Sequence, residues 1–271
     1  MSVTTHTNEV VVPTATAISA RTPKIRRALK AEWTKMRTLP STWRTAVIAT
    51  AISISLGIIL CASQVHAWSS MTAQQRQSFD PTACSLFGIV FVGAVVLAGL
   101  GVRAVTAEYV TGMIRSTFTA MPTRRLVLVV KAAVTAAFVF PVALFAAFVS
   151  FEAGQRVFVG KDLQVTLGNP GVLRAVVFGA LAVSLISIFA VGLGGLIRHT
   201  AAATTALVLV IVGGVTLGQL LPVGLRQYVP GTALQAAVTV NHSAGLLQPG
   251  AAILVLGIYA VVTLTAASFR V

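Results

Sequence analysis

Six long apolar runs divide this chain, residues 46–65, 84–105, 126–151, 172–197, 201–221 and 250–269, and none of them contains Asp or Glu. Each is long enough to cross roughly 30 Å of hydrocarbon as an α-helix, which satisfies its own backbone N–H and C=O groups where no water can. The expected fold is therefore all-α, a polytopic membrane protein with six transmembrane helices. The first run is not read as a cleaved signal peptide, although Val65-His66-Ala67 offers small residues at cleavage-site spacing. Its basic preface is too long, and its apolar core exceeds the usual length of about 7 to 15 residues.

Composition agrees, and the distribution of charge sets orientation. The 271 residues are 56% hydrophobic and 10% charged, whereas a soluble domain carries charge on about a quarter of its residues. A net charge of +14 would by itself suit a nucleic-acid binder. The basic residues, however, cluster in the N-terminal tail and beside the apolar runs, where topology and anionic lipid headgroups account for them. Membrane lipid is thus the expected partner, and no nucleic acid is. With six spans, fifteen Lys and Arg fall on the side of the N-terminal tail and five, Arg76, Arg156, Lys161, Arg174 and Arg226, on the other. Basic residues are retained in the cytoplasm, so both termini are expected there.

No pattern of catalytic, cofactor-binding or metal-ligating residues emerges. His6, His66, His199 and His242 are scattered, without metal-ligand spacing. Cys61 and Cys84 lie near the outer ends of the first two runs, where a disulfide is chemically permitted, although free Cys is also a common small packing residue. Residues 154–161 read GQRVFVGK, but a phosphate-binding loop needs four residues between its glycines and Ser or Thr after the Lys; here five intervene and Asp162 follows. Gly214 and Gly218 give a GxxxG spacing that is weak evidence in a chain with 22 Gly. Ser and Thr occur within the runs, but the nearest carboxylates, Glu108 and Glu152, stand at span ends, which disfavours an ion-coupled carrier. Lys131, about two turns inside the third run, is expected to snorkel to the headgroups rather than contact a substrate.

Residues 1–20 lack helical periodicity and read as a mobile tail. Over 21–39, Thr22-Pro23 supplies a cap and a first-turn proline, and Ile25, Leu29, Trp33 and Met36 recur on one helical face, flanked by Lys24, Arg26, Arg27, Lys30, Lys35 and Arg37. An interfacial amphipathic helix is expected, ending at Leu39-Pro40, with residues 40–271 forming the membrane domain.

The connection between the second and third runs reads EYVTGMIRSTFTAMPTRR over residues 108–125. Ile114, Phe118 and Met121 fall at i, i+4 and i+7, one row on a short helix bracketed by Gly112 and Pro122. So short a helix cannot bury that row alone. It lies against the membrane or docks in a groove on another protein.

The stretch Ala28-Leu29-Lys30-Ala31-Glu32-Trp33-Thr34-Lys35-Met36-Arg37, leading to Ser41-Thr42-Trp43, resembles the cytoplasmic start of permeases of the type 2 ABC exporter family, particularly those of high-GC Gram-positive bacteria. Glu108, Tyr109, Gly112, Arg115, Pro122 and Arg124, followed by Lys131, resemble that family's second connection, although Met113 stands where the family often has Thr. The resemblance implies that the first stretch is a connector helix and the second a coupling helix that engages a separate soluble ABC ATPase. Ile114, Phe118 and Met121 would be docking knobs, Glu108 and Arg115 polar contacts. It further implies a non-enzymatic permease subunit in a bacterial cell membrane, a homodimer or a heterodimer with a related permease, with ATP and magnesium held by the partner. The short apolar stretch 232–240 would be a re-entrant segment. An amphipathic or apolar cargo, a drug, peptide or lipid, is an expectation from composition. The alternatives are a secondary carrier or channel, or a non-transporting scaffold.

Overall fold

The computed structural model describes residues 21–112, 124–161, 163–241 and 245–270. Helix α1 (Arg21–Thr38) ends at Leu39, whose extended backbone turns the chain before Pro40 opens α2 (Pro40–Ala67) at its first position, where a missing N–H is harmless. Four more long helices follow: α3 (Pro81–Val110), α4 (Arg124–Phe158), α5 (Val172–Ile197) and, at the end, α8 (Pro249–Arg270). Between α5 and α8 lie α6 (200–218) and the short α7 (Pro230–Val238). No strand occurs among the described residues.

Five helices, α2, α3, α4, α5 and α8, are long and apolar enough to cross a membrane. The sequence expectation was six. The remaining run, 201–221, forms α6, in which Thr200–Val208 passes through a wide π turn at Leu209–Gly213 into Gly214–Gly218, and the chain turns before Pro222. Gly and Pro at that point end the helix early. A second π turn, Ile89–Gly93, interrupts α3. Such turns disturb the regular backbone ladder locally.

Helix α5 is the centre, packing against α3, α4 and α8 and buried over most of its length. Its Val183, Ile186 and Ala190 join Leu97, Val139, Phe151 and Leu256 in one core. Close approach depends on small residues. The buried positions of α2 are Thr42, Ala46, Ala49, Ser53, Gly57 and Cys61, a narrow stripe at helical spacing. Gly88 of α3 lies so near that a Cβ there would run into the Ser53 carbonyl oxygen. The rest of α2 and most of α8 face outward with residues such as Val47, Ile59, Leu254 and Val261, as expected of helices bordering lipid.

The bundle has two chemically distinct ends. At one, Arg198 stacks on Tyr109, Arg125 on Phe269, and an Arg198 Nη2 donates to the Arg270 carbonyl. At the other, Trp68, Phe79 and Phe158 pack edge to face, and Asp80 joins α3 to the chain after α7. Basic residues that the sequence assigned to separate loops of one side therefore meet in space. Helix α7 reaches inward from the second end: Gly231 lies against Ile211 and Val215 of α6, while Val240 sits by Gly171 at the start of α5. All of α7 except Gln235 is buried.

Candidate functional site

At the basic end, four charged side chains from three helices form a closed ring. Lys131 Nζ of α4 is 2.7 Å from Glu108 Oε1 of α3 and 3.0 Å from Glu32 Oε1 of α1. Lys35 Nζ closes it, 2.7 Å from Glu108 Oε1 and 3.4 Å from Glu32 Oε1. Signs alternate around the ring and cancel. Isolated charges at such a site would be costly, whereas each ammonium here has two carboxylates and each carboxylate two ammoniums. The Lys131 side chain is 2% exposed and that of Glu108 7%, whereas Lys35 is 44% exposed, so the ring is sealed on the bundle side and open on the other.

Local structure explains how the residues arrive. Glu32 stands on the inner face of α1 with Leu29 and the buried Met36, which pack on the core. Lys35 is one turn further on. Burial pulls the Lys35 ammonium toward neutrality, but hydrogen bonding to Glu108 and the charges of Glu32 and Glu108 outweigh it and hold its pKa above the ordinary lysine value. A raised lysine pKa stabilises the folded state at all pH below the unfolded value of 10.5 and loses that contribution only as pH rises through the folded value. Around neutrality this residue stays charged.

The ring lies at the roots of the connection between α3 and α4. Helix α3 ends as Thr111 donates its N–H and its Oγ1 to the Ala107 carbonyl, and Gly112 takes φ of +70°. Only glycine adopts that left-handed turn without strain, the usual way to leave a helix. Ile114, Arg115, Phe118 and Met121 lie outside the described residues. Glu108, near the end of α3, and Lys131, about two turns into α4, tie those two helices to each other.

Lys131 corrects its sequence reading. It does not snorkel to the headgroups; it turns inward, because two carboxylates are within reach. Glu32 and Lys35 were missed as partners. A signal was present, since Glu32 falls within the apolar spacing of Ile25, Leu29 and Met36, where a carboxylate needs an internal cation. In the structure Ile25 is half-buried, and Trp33, 40% exposed, points away from the core toward a lateral groove.

Cys61 and Cys84 adjoin as thiols, their sulfurs 3.6 Å apart and unbridged. Beside them Ser150 donates to the Ser85 carbonyl, and Gln155 donates to Ser85 Oγ while accepting from the Val165 N–H. Gly154, in the segment resembling a phosphate loop, is packed against Ser85 and Cys61. Gly214 of the GxxxG pair receives Val229 of the same chain. Comparison with known proteins yields no family: no family model matches the chain, and no curated protein matches it.

Proposed function

We propose that this chain is the transmembrane permease subunit of an ATP-driven exporter of the type 2 ABC class, with six spans, both termini cytoplasmic, and hydrolysis carried out by a separate ATPase in a bacterial cell membrane. The observation that carries this reading is the ring of Glu32, Lys35, Glu108 and Lys131, which joins α3 close to its end with α4 about two turns from its start, and both with α1. A force applied to the 113–123 segment by a docked partner would act on α3 and α4, already cross-linked to each other and to α1. The three helices would move together rather than the connection bending alone. Helix α7, a buried half-helix entering from the opposite end, suits the re-entrant segment expected between the last two spans. Two copies would enclose the path of an amphipathic or apolar cargo.

The test starts from the reading frames beside the gene, where this proposal expects a soluble P-loop ATPase, and goes on to co-expression with that ATPase and affinity purification from membranes. Wild type and Thr117→Ala should retain the ATPase. Phe118→Asp, which sets a carboxylate in an apolar docking groove, should insert normally and lose the partner by more than about tenfold. Equal recovery with Phe118→Asp would remove the docking role and leave membrane packing as the task of that helix.

A further inference from the structure

A groove opens sideways from the bundle between α1, α2 and α4, with a volume of about 710 Å³. Trp33, Arg37, Trp43, Val47, Ile54 and Phe145 define it. Its walls are aliphatic and aromatic, and Val47 and Phe145 are each 64% exposed on its lip. Trp43 is fixed as one wall, its Nε1 donating to the Arg37 carbonyl at 2.9 Å and its ring edge-on to Phe138 at 5.3 Å. On the other side of Trp33 a shallower furrow of about 420 Å³ continues between Leu29 and Lys30 of α1 and Val134 of α4. Two apolar furrows thus diverge from one tryptophan, each with a cation at its α1 edge.

Charge and length identify the occupant. The ion pairs among the described residues use Lys35 and Lys131, so Lys30 and Arg37 are left without a carboxylate there. From Trp43 to Ile54 the larger furrow follows twelve residues of α2, a rise of about 16 Å, close to one leaflet of a core roughly 30 Å thick. A water-soluble anion would match the cations but not the apolar walls, and a neutral lipid would match the walls but leave the cations unpaired. We infer that this groove binds one anionic diacyl phospholipid of the basic-side leaflet, its phosphate held by Arg37 and Lys30 and its acyl chains in the two furrows. The site rests on the membrane embedding of the helices and not on the export reading.

The full-length protein with Trp68→Phe, which leaves Trp33 and Trp43 as its tryptophans, is reconstituted in nanodiscs containing equal fractions of phosphatidylglycerol and phosphatidylcholine, with bromine on the acyl chains of one or the other. Brominated phosphatidylglycerol should quench the indoles distinctly more than brominated phosphatidylcholine, and 0.5 M salt should reduce the difference. In native mass spectrometry, Arg37→Gln with Lys30→Gln, both at exposed positions, should retain about tenfold less phosphatidylglycerol, and Thr50→Trp, which fills the groove, should lose both lipids. Equal quenching by the two lipids would overturn the assignment. So would a Thr50→Trp protein that keeps its lipid and loses its dimer, which would make the groove a contact between copies of this chain.

Discussion

Lys131 shows what a single buried charge requires. Its ammonium is enclosed, and its two carboxylate partners come from residues 99 and 23 positions away. Removing one member of such a set leaves the others uncompensated, whereas removing an opposite pair restores neutrality. Lys131→Met should therefore lower stability by about 3 kcal/mol, seen as an earlier thermal unfolding transition in detergent. Glu108→Gln combined with Lys131→Met should recover a substantial part of that loss. Additive losses in the double variant would mean that the two groups act independently and that the ring is not an energetic unit. Glu108 was visible in the sequence through its motif, but its partnership was not, because pairing across two helix connections depends on how α1 folds back. The apolar run around Lys131 made snorkelling the local solution; the tertiary solution was closer.

At the scale of elements, the long helices were legible because hydrophobic length alone specifies them, and Leu39-Pro40 marked the boundary between α1 and α2 in advance. The division of 201–221 was not legible. Its composition is that of a span, and the π turn at Leu209–Gly213, which lies against α7, is not encoded in its periodicity. The short helix α7 was anticipated as too short to cross, but the residue that anchors it was not. Asp80 Oδ1 caps α3 through the N–H groups of Thr82 and Ala83, and its Oδ2 accepts from Val240 at 2.6 Å and Asn241 at 3.1 Å. One carboxylate thus starts α3 and holds the exit of α7. Asp80→Ala should cost about 2 kcal/mol from the lost cap and the two released loop bonds. In a background lacking Cys61 and Cys84, a Thr239→Cys probe should then react several-fold faster with a maleimide. An unchanged labelling rate would show that α7 is held by its apolar face alone.

For the whole molecule, the separation of charge gives the bundle a direction. The ring, Arg125, Arg198 and Arg270 gather at one end, and Arg76, Lys161 and Arg174 belong to the loops or helix starts of the other. Single-cysteine probes at Gln74, Gln164 or Gln235 should react with an impermeant reagent outside intact cells, and a probe at Thr34 should not. Labelling at Thr34 from outside would invert the topology and place the 113–123 segment beyond the reach of a cytoplasmic ATPase. Transport energy enters, in the proposed reading, through that segment and the ring at its roots. The most direct measurement is the ATP hydrolysis rate of the proposed partner ATPase in proteoliposomes, alone and with this chain as wild type, as Lys131→Glu, and as Glu108→Lys with Lys131→Glu. Wild type should change the rate several-fold, the single reversal should abolish that change, and the exchanged pair should restore part of it at equal protein recovery. A hydrolysis rate that is the same with and without the folded wild-type chain would contradict the coupling of this membrane bundle to ATP.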